Sequence, residues 1–134
     1  MNSIQTLGVV RALLSGIYSK VCEGVVARCI IDYVTMFDTP YGSGGTHGQV
    51  DVGTRHTIIE AKVDSVRAGQ QKQIYKFLNS DIVNPPDANG MRKWVFLYAP
   101  GYDDAAAVSM QTVGVYVVKS CEQLRRQIRR RGGP

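Results

Sequence analysis

The sequence predicts an α/β fold, a mixed central sheet flanked by helices, from three observations. Residues 49–63 alternate like a hairpin: Gln49-Val50-Asp51-Val52 is one short strand, Gly53-Thr54-Arg55 the turn, and 57–63 the next strand. Two apolar, β-rich runs, Trp94–Tyr98 and Val115–Val118, flank a helical stretch at 103–111. A strand–helix–strand crossover implies a parallel pair. Helical periodicity elsewhere supplies the covering layers.

The elements follow in order. From residue 3 to about 30, Leu7, Val10, Leu14, Ile17, Val21 and Val25 recur at spacings of three and four, which is one face of a helix. Gly8, Gly16 and Gly24 weaken that helix, and a break falls near Gly24. Residues 30–36 are β-rich and read as an opening strand. Residues 39–48, with four glycines and Pro40, read as a mobile loop. Residues 67–79 form a helix with Ile74, Phe77 and Leu78 toward the core, and 84–90 a loop. There is no internal repeat and no low-complexity segment.

At 134 residues the chain is one domain, large enough for a core without staples, ending in a basic tail at about 119–134. An apolar fraction of 44% and a charged fraction of 20% are those of a soluble globular protein. Cys22, Cys29 and Cys121 form no C-x-x-C pair and leave one odd, which predicts free, mostly buried thiols in a reducing compartment. They have no zinc-ligand spacing with His47 or His56. The sequence shows no basic-then-apolar leader and no apolar run near eighteen residues, so no membrane association is expected.

Charge is distributed unevenly. Ten of the 16 Lys+Arg and ten of the 11 Asp+Glu precede residue 119, so the net +5 comes from the tail. There Lys119, Arg125, Arg126, Arg129, Arg130 and Arg131 face only Glu122. Such a run is either a solvated end or a patch with salt-dependent affinity for phosphates. A helix would gather Arg125, Arg126 and Arg129 near one face, with Arg130 beside them.

Candidate chemistry centres on 48–62. Glu60 and Lys62 project from one face of their strand, while Ile59, Ala61 and Val63 take the other. An antiparallel hairpin brings Asp51 close to Glu60. Taken singly, an E-x-K triplet is usually a solvated face and an Asp before a glycine turn a turn former. Together, two carboxylates that can share a divalent cation beside one amine are what phosphodiester hydrolysis requires. Asp51, Glu60 and the Ala61 carbonyl would supply a half-shell for Mg²⁺ or Mn²⁺. Lys62 would orient the attacking water or offset charge on the phosphorane.

The arrangement Asp51, then Glu60-x-Lys62 across two strands, closely resembles the PD-(D/E)xK, or restriction-endonuclease-like, nuclease superfamily. In the following helix Gln71-x-x-x-Tyr75 is similar to the Q-x-x-x-Y element of its RecB-like branch, with Gln73 as a rival to Gln71. Glu23, on the first helix, stands where many members place an additional acidic residue; otherwise it is an ordinary helix carboxylate paired with Lys20. Val50 replaces the proline that often precedes the family's aspartate. Pro86-Asp87 is a decoy, because it follows the Glu-x-Lys pair and lies in a loop. The resemblance runs to about residue 120 and implies a restriction-endonuclease-like core and a Mg²⁺-dependent endonuclease acting on DNA or RNA.

Two classes of function stay open. One is a metal-dependent nuclease; the other is a non-catalytic nucleic-acid-binding or assembly domain on the same fold. Within the first, a compact catalytic unit resembles toxin modules of bacterial contact-dependent and other polymorphic toxin systems, as well as small phage or archaeal resolvases and repair nucleases. The Gly-rich loop and basic tail favour the toxin reading, in which an immunity protein covers the cleft. Its site of action would be cytoplasmic, reached by delivery within a larger secreted protein.

Overall fold

The computed structural model describes residues 21–42, 48–62 and 68–132. The expected helix positions before residue 21, Lys20, loop residues 43–47, Val63 and Arg67 lie outside the described residues. Among the described residues five strands make one mixed sheet in the order β1-β2-β3-β4-β5. Helix α1 covers 21–29, β1 is Val34–Tyr41, β2 Gly48–Thr54, β3 Thr57–Ala61 and α2 Ala68–Lys76. Then come β4 Trp94–Tyr98, α3 Asp104–Thr112, β5 Val115–Val118 and α4 Cys121–Arg130. The first three strands are antiparallel; β4 and β5 run parallel to β3.

The opening strand starts later and runs further than the sequence suggests. Ile30 is buried at the end of α1, and a 3-10 turn, Ile31–Tyr33, follows it. Pairing starts at Val34 opposite Thr54 and continues to Tyr41 opposite Gly48. Thr39 and Pro40, expected in a loop, belong to this strand. β1 is the sheet edge, where a proline's missing N–H leaves no ladder bond unmade.

The hairpin turn is also displaced. It falls at Arg55-His56, and Gly53 stays inside β2. Thr54 organises this turn: its Oγ1 accepts from the backbone N–H groups of His56 at 3.3 Å and Thr57 at 3.0 Å. The glycine serves packing instead. A Cβ at Gly53 would meet Met36 Cε at 2.9 Å and Met36 Cβ at 3.2 Å, so the Met36 side chain lies against the bare Cα and would have to shift for a larger residue.

β3 is buried throughout, Thr57 and Glu60 included, and β4, an unbroken apolar run, is buried from Val95 on. On one face Ile58, Val95, Leu97 and Val115 pack with Ile74 and Phe77, at and just beyond α2, and with Met110 of α3. On the other, Ile59, Ala61, Phe96, Tyr98 and Val118 pack with Val26 and Ile30 near the end of α1 and with Leu124 and Ile128 of α4. Asp103 caps α3 by accepting from Ala106 N–H at 3.0 Å. α3 links β4 to β5, giving the expected crossover and parallel pair.

The basic segment is not a tail. Ser120 caps α4 by accepting from Gln123 N–H at 3.1 Å, and Gln123 Oε1 in turn accepts from Lys119 N–H at 2.8 Å. Burying Leu124 and Ile128 ties the helix to the sheet, at about 1.5–3 kcal/mol for each side chain. Arg131 lies against aromatic rings, its guanidinium 4.2 Å from the Trp94 centroid and 4.4 Å from that of Tyr116.

The cysteine expectation is corrected as well. Cys29 and Cys121 form a disulfide, with Cα atoms 5.8 Å apart across 92 residues of sequence, and only Cys22 is free. Spacing along the chain could not reveal this pair, because it forms where the end of α1 meets the start of α4.

Candidate active site

The β2–β3 ladder pairs Val52 with Ile59 and Gly53 with Ile58, so the same register continued by one step opposes Asp51 to Glu60. Here β3 parts from β2 and is carried by β4: Lys62 N–H donates to Tyr98 O at 2.9 Å. Asp51 fills the vacated position. Its Oδ2 accepts from Ala61 N–H at 3.0 Å, which fixes the carboxylate beside Glu60.

The two carboxylates lie in a cleft of about 230 Å³ that α1 and α2 close from either side. α1 contributes Glu23, β3 and its end contribute Glu60 and Lys62, and α2 contributes Gln73 and Lys76. Asp51, Glu60 and Glu23 are only 8%, 7% and 6% exposed. Three buried carboxylates round one small cleft make a site that strongly favours positive charge.

Glu60 carries most of that strain. Burial, then the charge and hydrogen bonding of Asp51, push its carboxyl up to about 9, against a smaller opposing pull from Lys62. Its Oε1 is buried without a hydrogen-bond partner among the described residues. Cys22, next to Glu23 on α1, has its thiol pushed up by burial, then by Asp51 and Glu23. Tyr98 is pushed up by burial and then by Cys22.

Not every candidate reaches this cleft. Gln71 points elsewhere, donating its Nε2 hydrogen to Tyr102 Oη at 3.0 Å, and Tyr75 packs against the α2–α3 core. The rival, Gln73, lines the cleft. Arg125, Arg126, Arg129 and Arg130 are exposed on α4, beside a surface cleft of about 680 Å³, with Arg126 3.3 Å from Glu122.

Lys76, Gly48 and Gln49 were missed. Gln73 and Lys76 are three apart on α2, so finding one by helical spacing implicates the other. Gly48 has φ +115°, and a Cβ there would stand 3.0 Å from Lys76 Nζ. Gln49 is held over Asp38 by a side-chain hydrogen bond.

No family model, curated protein or solved structure matches this chain. The chemistry of the site therefore rests on its own geometry. Among the described residues, no three His, Cys, Asp or Glu side chains are grouped as metal ligands. Mg²⁺ does not need such a group, since one or two carboxylates, waters and substrate phosphate are its usual shell. Asp51 and Glu60, with Ala61 between Glu60 and Lys62, fit that requirement, and the orphaned Glu60 Oε1 offers a lone pair. No helix among the described residues is long and apolar enough to cross a membrane.

Proposed function

We propose that the chain is a metal-dependent nuclease with a restriction-endonuclease-like core, hydrolysing phosphodiester bonds in DNA or RNA. The observation that carries this reading is the Asp51–Glu60 pair: opposed buried carboxylates, one pushed up to about 9 with an orphaned oxygen, and Lys62 in the same cleft. Without a cation, such a pair holds a proton in a place where water cannot stabilise two charges. A Mg²⁺ or Mn²⁺ ion held by Asp51, Glu60 and the Ala61 carbonyl would supply Lewis acidity and an activated water.

The side chains around them have complementary tasks. Lys62, partly buried at the end of β3, sets an amine where charge grows on the phosphorane. Gln73 offers an amide to orient water or phosphate, and Lys76 an ammonium at the mouth of the cleft. Glu23 adds a third carboxylate on the α1 side. The test is direct: plasmid, single-stranded DNA and total RNA are incubated with the protein in Mg²⁺, Mn²⁺ or EDTA. Cleavage that needs the metal and disappears in Asp51→Asn supports the reading; cleavage undiminished in EDTA, or none on any substrate, refutes it.

The second reading is a non-catalytic nucleic-acid-binding domain, favoured by the exposed arginines of α4. It predicts binding without cleavage in the same assay. Within the nuclease reading, a toxin module with an immunity protein covering the acidic cleft remains the preferred biology on analogy alone.

A further inference from the structure

A second polar pocket, of about 260 Å³, lies at the opposite end of the parallel strands. Arg55 and His56 immediately precede β3, and Arg92 and Lys93 immediately precede β4, so both pairs sit where the parallel strands start. Glu60 and Lys62 sit where β3 ends. Five-residue strands at ~3.3 Å per residue put about 15 Å between the two sites.

This pocket is built rather than incidental. Asn84, fully buried, donates to Phe77 O at 2.7 Å and Lys93 O at 3.1 Å, and accepts from Lys93 N–H at 2.8 Å. Arg92 is fixed between Asn84 O at 2.8 Å and Asp81 at 2.6 Å. Lys93 Nζ donates to Thr54 O at 2.8 Å, which leaves two ammonium hydrogens for another acceptor. Burial pulls the Lys93 amine below its ordinary range, a penalty that a nearby anion would relieve.

The charge is unbalanced. The walls carry Arg55, Arg92 and Lys93 against one carboxylate, Asp87. Asp87 Oδ1 already accepts from the N–H groups of Asn89 and Met91, at 2.8 and 2.9 Å. Neither Arg55 nor Lys93 forms a salt bridge among the described residues. The end of α4 joins this end of the strands, with Arg131 stacked on Trp94 and a Cβ at Gly132 only 3.0 Å from His56 Cδ2. Arg131, which follows the buried Leu124 and Ile128 on the same face of α4, thus reaches Trp94 in the pocket wall.

We propose that the Arg55–Lys93 pocket binds a backbone phosphate of a nucleic acid, as a contact site separate from the acidic cleft. The choice of nucleic acid rests on the nuclease reading, while the anion site stands on the pocket's own chemistry. A separation of about 15 Å is roughly half a helical turn of duplex, so one substrate can reach both places.

The chain's single tryptophan, Trp94, lines this pocket, so its fluorescence reads occupancy. The full chain is titrated in EDTA with a duplex oligonucleotide of about two helical turns and, separately, with inorganic pyrophosphate. Both should change Trp94 emission saturably. Arg55→Glu should weaken duplex binding roughly tenfold at low salt and flatten log K against log salt by up to ~0.9 per lost contact. Lys93→Met should do likewise, and is read only if its melting temperature matches wild type; Arg55 is exposed, so Arg55→Glu carries the test by itself.

Unchanged duplex affinity and salt slope in Arg55→Glu would overturn the proposal. A pyrophosphate response lost in that variant while duplex binding is untouched would overturn the nucleic-acid assignment in favour of a small phosphorylated ligand. Because binding is read without metal, failure here is distinct from failure of the nuclease reading, which the Mg²⁺ assay decides.

Discussion

The Asp51 carboxylate accepts from the backbone N–H of Ala61 at 3.0 Å, at the point where β3 leaves β2 for β4. Asp51 therefore supports the backbone as well as facing the cleft. Asp51→Asn keeps an acceptor for Ala61, so it should leave the melting temperature nearly unchanged while removing metal-dependent cleavage. Asp51→Ala leaves that N–H unpaired and should also cost about 1–3 kcal/mol in chemical denaturation. A wild-type rate in the Asn variant, measured by plasmid nicking, would refute the catalytic role of Asp51.

Glu60 makes the metal-free protein pH-sensitive. Its folded carboxyl lies at about 9 against an ordinary 4.5, so the native state keeps a proton that the unfolded chain loses. Stability should therefore be greatest below about pH 4.5 as far as this group is concerned, fall as pH rises towards 9, and level off above. Glu60→Gln should flatten that decline, which urea titrations in EDTA at a series of pH values would measure. Parallel curves for the two proteins would show that Glu60 ionises normally.

Lys62 is expected to act on the barrier rather than on binding. Lys62→Met should lower kcat by a factor on the order of 10² or more with little change in nucleic-acid affinity. Lys62→Arg should not fully rescue, since a guanidinium is larger and cannot serve as a base. Should the Met variant lose affinity at unchanged kcat, Lys62 is a phosphate contact.

What the sequence disclosed was local. Continuous apolar, β-rich runs marked β4 and β5 at their observed ends, and hairpin spacing put Asp51 by Glu60, because both signals lie within a few consecutive residues. Gly53 misled the turn assignment, since a glycine that admits Met36 looks the same as one that bends the chain. The helix phase of α2 was not legible: whether Gln71 or Gln73 enters the cleft depends on how α2 docks, and Tyr102, 31 residues on, takes Gln71. The Cys29–Cys121 bond and the basic pocket before β3 and β4 join segments that only the sheet brings together.

The disulfide closes a long loop, and that predicts its effect. Cross-linking residues 92 apart restricts the unfolded chain by up to about 4–5 kcal/mol in the chain-entropy account. Reduction, or Cys29→Ser with Cys121→Ser, should lower the denaturation midpoint clearly without abolishing the fold, since Leu124 and Ile128 still anchor α4. Mass spectrometry after alkylation of the native protein should label Cys22 alone; labelling of all three cysteines would remove the bond from the account.

The α4 arginines divide into two roles that separate variants can resolve. Arg125, Arg126, Arg129 and Arg130 face solvent, whereas Arg131 packs on Trp94 and Tyr116 with its Nε buried. Truncation before residue 129 would mix lost phosphate contacts with a lost aromatic clamp. Arg129→Ala with Arg130→Ala should leave the melting temperature and saturating kcat nearly unchanged. It should weaken binding of unrelated sequences alike and flatten the salt slope by up to ~0.9 per lost contact on duplex, or ~0.7 on a single strand. Arg131→Ala should instead cost roughly 0.5–2 kcal/mol of stability, because the lost cation–π contacts are partly desolvated, and should leave the slope unchanged. Identical salt slopes for wild type and the Arg129/Arg130 variant would make that face a solvated surface with no part in binding.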